Sequence, residues 1–122
     1  MAGAKKTLTR ASAVAARPRK LPVLRREEQG DGRARVTVML QRGGWARWLG
    51  ASGQFERTFG LDPLGREVYD ACDGRHAVSD IVRRFAAGHR VSVAEAELAV
   101  STFLKTLMSK GLIAMVMESD QP

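Results

Sequence analysis

The residue types that commonly carry out acid–base, nucleophilic or metal chemistry are few in this chain. It has one cysteine, Cys72, and two histidines, His76 and His89. A Cys/His metal centre needs more ligands than these, and neither histidine stands at motif spacing from a serine or cysteine nucleophile. Asp70 and Asp73 form a close carboxylate pair, but a glycine follows directly, which is typical of a solvated helix end. We therefore predict a protein that is not an enzyme, with no catalytic residues, no metal and no cofactor.

Cys72 lies on the apolar stripe of a predicted helix. A free cysteine in that position usually behaves as a small buried hydrophobic residue. The pattern therefore favours burial of this thiol over a nucleophilic role.

Basic side chains are concentrated in residues 1–20. This segment holds six Lys or Arg and no acid, whereas the rest of the chain carries 14 basic and 13 acidic side chains, for a total net charge of +7. A duplex-DNA binder is expected to carry its excess charge on the folded face that docks, so the nearly neutral remainder argues against nucleic acid as the partner. Residues 1–20 also lack aromatics and a sustained apolar face, which predicts a disordered basic tail.

Two tryptophans form another candidate contact surface. Trp45 and Trp48 are spaced, with Leu49, as one helical turn between glycine-rich breaks, and Arg42 and Arg47 flank them. Such residues either cover the core or form a patch that binds a partner or a membrane surface. The sequence leaves both interpretations open.

Three strands are predicted before the long helices. Residues 30–32, Gly-Asp-Gly, lie between two extended segments and are typical of a hairpin turn. In the second segment Val36, Val38 and Leu40 alternate with polar residues, as a half-buried strand requires. A third strand is predicted over residues 55–61, which also alternate, although the alternation does not decide which set faces a ligand.

Helix signals follow in quick succession. Asp62 supplies an N-cap and Pro63 suits the first helical position, and Gly74 marks the end of this helix. The apolar spacing over residues 78–86 predicts a second helix, with Gly88 as its C-terminal stop.

The third predicted helix is the longest and has the widest apolar arc. It opens with a capping box at residues 92–95 and extends to about Lys110, before Gly111. Residues 112–117 are apolar enough for a short final strand, whose partner the sequence does not indicate. This order predicts an α+β, winged-helix-like fold in which a three-stranded antiparallel sheet is followed by three helices.

Three segments in this order carry a family resemblance. Residues 61–74 read LDPLGREVYDACDG, residues 78–82 read VSDIV, and residues 95–113 form the closing helix with the Gly-Leu-Ile that follows it. Together they resemble the PqqD-like family, which is named for pyrroloquinoline quinone biosynthesis protein D. Ala77 departs from the pattern, because the family commonly has there a threonine that is able to cap the second helix.

The resemblance implies a peptide-binding function. Members of this family act as RiPP recognition elements: they bind the leader of a ribosomally made precursor peptide and present it to a modifying enzyme, often a radical SAM protein. By resemblance, the leader adds as an extra strand along the third strand, over a groove against the third helix. The candidate peptide-binding residues are Phe55, Glu56, Arg57, Thr58, Phe59, Val100, Leu104, Leu107 and Met108. Residues 21–117 would then form a PqqD-like peptide-binding domain, followed by a disordered C-terminus at 118–122.

Two other functions stay open on the sequence. A winged-helix nucleic-acid binder would read DNA with its third helix, but that helix offers only Lys105 and Lys110 against Glu95 and Glu97. A protein–protein adaptor would instead use the patch around Trp45. With no secretory signal and no apolar run of about 18 residues, we expect a cytoplasmic protein with no transmembrane segment.

Overall fold

A three-stranded antiparallel sheet forms one layer of the fold. The computed structural model describes residues 10–41 and 54–117. The strands β2 (Arg25–Glu28), β3 (Ala34–Gln41) and β4 (Gln54–Leu61) lie in the order β2-β3-β4. The turn between β2 and β3 contains Gly32 at φ +89°, a conformation that glycine adopts without steric cost. The predicted hairpin and third strand are therefore confirmed.

Four helices complete the described fold: α1 (Arg10–Ala15), α2 (Pro63–Ala71), α3 (Val78–His89) and α4 (Val93–Ser109). At the start of α2 the Asp62 side chain accepts a hydrogen bond from the Gly65 N–H at 2.7 Å, with Pro63 in the first turn. Ser92 and Glu95 form the predicted capping box of α4. The α+β arrangement and the starts of α2 and α4 are thus confirmed.

The end of α3 differs from the prediction. Gly88 lies inside the helix, and Arg90 adopts the left-handed conformation that ends it, at φ 56°. The Arg90 and Val91 N–H groups both bond to the carbonyl of Ala86 and close the last turn. These bonds offset the cost of a left-handed non-glycine residue, about 1–2 kcal/mol, so the helix does not need its glycine as the stop.

A second, two-stranded sheet corrects the prediction that residues 1–20 form a disordered tail. Strand β1 (Arg17–Lys20) pairs antiparallel with β5 (Ile113–Val116), and α1 precedes it. Pro18 is fully buried, and its carbonyl accepts the Gly74 N–H at 2.8 Å. The physical reason is non-local, since β5 is an apolar strand whose backbone groups need a partner. Predictions on residues 1–9, on residues 118–122 and on the tryptophan segment lie outside the described residues.

The core lies between the β2-β3-β4 sheet and helices α2, α3 and α4. Val36 and Val38 contribute from β3, and Val100 contributes from α4. Cys72 is fully buried and its thiol donates to the Val68 carbonyl, which confirms that it packs as a hydrophobic residue. Burial raises the pKa of this thiol to about 12, so Cys72 stays protonated near neutral pH.

Candidate functional site

The outer edge of β4 carries backbone groups that point away from the sheet. Among the described residues, β4 pairs only with β3. The Thr37 carbonyl accepts the Leu24 N–H at 2.8 Å, so the backbone groups of Thr37 face β2. Thr58 lies opposite Thr37 and therefore directs its own N–H and C=O away from β3. Because backbone direction repeats every two residues, Glu56 and Gly60 do the same.

The side chains of β4 divide between the two faces of the sheet. Phe55, Arg57 and Phe59 lie opposite Leu40, Val38 and Val36, so they share the face that packs toward the helices. We call this the groove face. Glu56 and Thr58 lie on the outer face.

The outer face of β4 is already held by polar contacts. Glu56 pairs with Arg25 at 3.2 Å, and the Thr58 hydroxyl hydrogen-bonds the Thr37 hydroxyl at 2.8 Å. The register therefore shows that Phe55, Arg57 and Phe59 share the groove face, whereas Glu56 and Thr58 do not. Of these side chains, Phe59 contacts Lys110 at the C-terminal end of α4.

A cavity of about 220 Å³ continues the groove face between the end of β4 and helices α2 and α4. Phe103 of α4 forms one of its walls and packs against Gly65 of α2. A Cβ atom at Gly65 would lie 3.5 Å from the Phe103 ring and 3.0 Å from Asp62 Oδ1. Glycine at this position therefore preserves both the cap of α2 and the position of the Phe103 ring. The complete lining is Gly60, Leu61, Asp62, Gly65, Phe103, Thr106, Leu107 and Lys110.

Two cations flank the half-buried ring of Phe59 on the groove face. The Lys110 ammonium is 4.7 Å from the ring centroid, and the Arg57 guanidinium carbon is 5.8 Å from it. At partly exposed sites such contacts are worth about 0.5–1 kcal/mol each. This part of the groove is therefore apolar at its base and positively charged at its rim.

The predicted α4 residues do not all border this groove. Val100 is 0% and Leu104 3% exposed, so both belong to the core. Leu104 and the partly exposed Met108 line a different cavity of about 400 Å³, between α1, α4 and β5. Of the four predicted α4 positions, only Leu107 lines the cavity beside β4.

Three residues that line the cavity beside β4 were missing from the predicted peptide-binding residues. Phe103 and Thr106 of α4 and its C-cap Lys110 continue the flank of Leu107, at spacings of three and four residues. Thr106 and Lys110 are polar, so they are missed when candidate binding residues are chosen because they are apolar. Helical spacing from Leu107 toward β4 is the signal that identifies this set.

The opposite sheet edge, at β2, has a different character. It has four residues, all charged, and Arg26 makes two hydrogen bonds to the Asp70 carboxylate of α2, at 2.6 and 3.1 Å. Arg66 of α2 bonds Glu28 at 2.9 Å. Burial opposes the ionisation of Asp70, but these Arg26 bonds outweigh it and hold the pKa of Asp70 below its usual value. Short, charged edge strands of this kind resist the addition of a further strand.

The histidines and acidic residues take part in local surface contacts. His76 bonds Asp73 at 2.8 Å, and His89 bonds Glu67 at 2.9 Å. Within the described part of the chain, no group of three His, Cys, Asp or Glu side chains is arranged to hold a metal ion. Nor is any helix in that part both long and apolar enough to span a bilayer.

Comparison with known proteins supplies the family. The model of the family described as coenzyme PQQ synthesis protein D (PqqD) matches residues 36–113, well over half of the chain. The chain belongs to the PqqD family. The match includes β3 from Val36 onward, all of β4, α2, α3 and α4, and with them the groove between β4 and α4. No curated protein matches the chain significantly, and neither does any solved structure.

Membership of the PqqD family indicates the broad class of function. It suggests a peptide-binding partner protein in the biosynthesis of a cofactor or of a modified ribosomal peptide. The resemblance that the sequence carried is thereby confirmed at the level of the family.

Proposed function

We propose that this PqqD-family domain captures the leader of a ribosomally made precursor peptide as an extra strand on β4 and holds it for a modifying enzyme. In this role the domain is non-catalytic and acts in the cytoplasm. The observation that carries the proposal is the outer edge of β4, where Glu56, Thr58 and Gly60 direct their backbone groups outward beside an open cavity.

The energetics of strand addition require this combination of edge and cavity. Three outward residues offer one N–H and one C=O each, and at about 1 kcal/mol net per bond they contribute roughly 6 kcal/mol. Association itself costs roughly 4–15 kcal/mol, so backbone pairing alone is insufficient. Two or three apolar side chains buried along the groove, against residues such as Phe103 and Leu107, add about 1.5–3 kcal/mol each. The sum is compatible with micromolar binding, near −8 kcal/mol.

Amide hydrogen exchange tests the proposal at single residues. Arg57 and Phe59 donate their N–H groups to β3, so their amides should exchange slowly with or without peptide. Glu56, Thr58 and Gly60 should exchange fast in the free protein and slow down on binding. The measurement is exchange followed by NMR, with short peptides encoded next to this gene as ligands. An equal gain in protection at odd and even positions, or no gain at Glu56, Thr58 and Gly60, would contradict strand addition on this edge.

The nucleic-acid alternative has less support from the structure. On the long helix, Lys105 and Lys110 are accompanied by Glu95 and Glu97, and Lys110 lies over the Phe59 ring. A helix that reads DNA needs a row of cations on its exposed side. Gel shifts with random duplex DNA at low and high salt would detect such binding.

A further inference from the structure

The positive rim of the groove has no carboxylate partner in the described part of the chain. There, no Asp or Glu oxygen lies within 4.0 Å of the Arg57 guanidinium or the Lys110 ammonium. Their contacts with the Phe59 ring leave most of their N–H donors available. Two charges of the same sign therefore lie 4.7 and 5.8 Å from the centroid of one half-buried ring.

On the outer face of the same strand, the charges are paired. There Glu56 neutralises Arg25 across the sheet at 3.2 Å. Charge on β4 is thus balanced on the face that turns away from the groove and unbalanced on the groove face. An anionic group supplied from outside would complete the groove face.

The single carboxylate that lines the cavity does not provide this balance. Asp62 accepts the Gly65 N–H at 2.7 Å as the cap of α2. The C-terminal end of α4 carries partial negative charge that offsets part of the charge of Lys110. Arg57 comes from the strand, away from that helix end, so the rim keeps a net positive potential next to Phe59.

Given the proposed function, we infer that the peptide bound along β4 places an Asp or Glu side chain against Arg57 and Lys110. An apolar side chain of the same peptide occupies the cavity lined by Phe103 and Leu107. Side chains on one face of a strand recur every two residues, so the acid and the apolar anchor are separated by an odd number of residues, which is one for neighbouring positions on that face. The ligand class is an extended peptide with an acidic residue at this spacing from an apolar one, and a basic residue in the acidic position is repelled.

A selection on the full chain tests this inference without a known ligand. The probe is a phage-displayed library of random dodecapeptides, selected separately on the wild-type protein and on the variants Thr58→Pro and Thr58→Val. Both variants lose the hydroxyl bond to Thr37, but only the proline removes the outward N–H. Peptides bound by wild type and Thr58→Val, and lost on Thr58→Pro, are bound at the β4 edge.

The strongest edge-dependent peptide is then synthesised with its acidic residue and with the matching amide, Asn or Gln. Binding of both forms is measured to the wild type, Arg57→Gln, Lys110→Gln and the control Lys105→Gln. Lys105 matches Lys110 in charge and lies near the same helix end, but on the opposite flank. Arg57→Lys keeps the charge and reports on lost packing alone.

The expected result is enrichment of Asp or Glu at one fixed spacing from an apolar residue. Each groove variant should weaken the acidic peptide about two- to five-fold and leave the amide peptide unchanged. Lys105→Gln and Arg57→Lys should leave both affinities close to those of the wild type. High salt should weaken only the acidic peptide.

The two proposals fail in different ways. Edge-dependent peptides without acidic enrichment, or with affinities that Arg57→Gln and Lys110→Gln do not change, would overturn the charge inference and leave strand addition standing. A selection in which no peptide depends on the outward N–H of Thr58 would overturn strand addition, and the charge inference with it.

Discussion

Proline substitutions at neighbouring positions of β4 should have sharply different effects on stability. The outward direction of the Thr58 backbone means that Thr58→Pro removes a donor that no strand of the described structure uses. Arg57 lies opposite Val38 and directs its N–H toward β3. Arg57→Pro therefore removes a ladder bond and leaves the Val38 carbonyl without its partner. Edge strands tolerate proline where the lost N–H faces solvent.

The magnitudes follow from these bonds. Thr58→Val loses one hydroxyl bond, worth about 1 kcal/mol of unfolding free energy. Thr58→Pro should cost about 1 kcal/mol more, because the proline ring restricts the backbone φ angle at this strand position. Arg57→Pro should cost about 2–4 kcal/mol, for the lost ladder bond and the Val38 carbonyl left unpaired. Urea denaturation measures these three changes in unfolding free energy, as shifts of the denaturation midpoint at an unchanged m-value. Arg57→Gln serves as a control because it changes the side chain and keeps the N–H.

Affinity should separate the same variants in another way. For an edge-bound peptide, Thr58→Pro removes one bond and leaves a peptide carbonyl unsatisfied, a loss of roughly 2–4 kcal/mol relative to Thr58→Val. Equal destabilisation by proline at positions 57 and 58 would show that the backbone direction deduced for β4 is incorrect. Equal peptide affinity of Thr58→Pro and Thr58→Val would refute binding at this edge.

Three further predictions concern stability and reactivity. Ala77 is the N-cap of α3 and makes no side-chain cap bond, so Ala77→Ser should raise the unfolding free energy by about 1 kcal/mol in urea titrations. Ala77→Gly adds no side-chain acceptor and should give a smaller gain. Because the pKa of Cys72 is raised to about 12 from 9.0, its thiol should resist iodoacetamide at pH 8.5 in the native protein and react in the unfolded protein. For the same reason, the unfolding free energy should fall as pH rises from about 9 toward 12. Hydrogen bonds from the Arg75 N–H and from His76 lower the pKa of Asp73 to about 2. The stability that Asp73 contributes should therefore be present above pH 4 and lost as pH falls through about 2, and Asp73→Asn should show a shallower acid loss by circular dichroism.

The sheet and the helix starts were predictable because their signals are local. Val36 and Val38 alternate with polar neighbours, and the sequence shows that period directly. The Asp62 cap and the Ser92–Glu95 capping box likewise depend on residues within one turn. The strand and the helix caps that these local patterns predict form in the folded protein because the tertiary contacts favour the same structures.

Strand β1 was not predictable from its own residues. Arg17–Lys20 reads RPRK and has no apolar alternation. It forms because Ile113–Val116 needs a partner and because Gly74 bonds back to Pro18. Both contacts join positions more than 50 residues apart, so a window along the sequence does not reveal them.

The helix residues beside β4 were mostly not those predicted. Val100 and Leu104 were chosen because they are apolar, and they fill the core. The residues that line the cavity beside β4 include Thr106 and Lys110, whose polar groups suit a surface in contact with solvent. Which side of α4 faces β4 depends on how the helix packs against the sheet. The hydrophobicity of its residues alone does not predict this orientation.

The unequal edges of the sheet limit how this protein can self-associate. If two copies joined through β4, each would present only its β2 side outward, where Arg26 and Glu28 are engaged with α2. Further molecules would meet short, charged strands on both ends. Extension of the β2-β3-β4 sheet from copy to copy therefore stops at a pair, so an accessible β4 edge does not lead to fibre growth through this sheet.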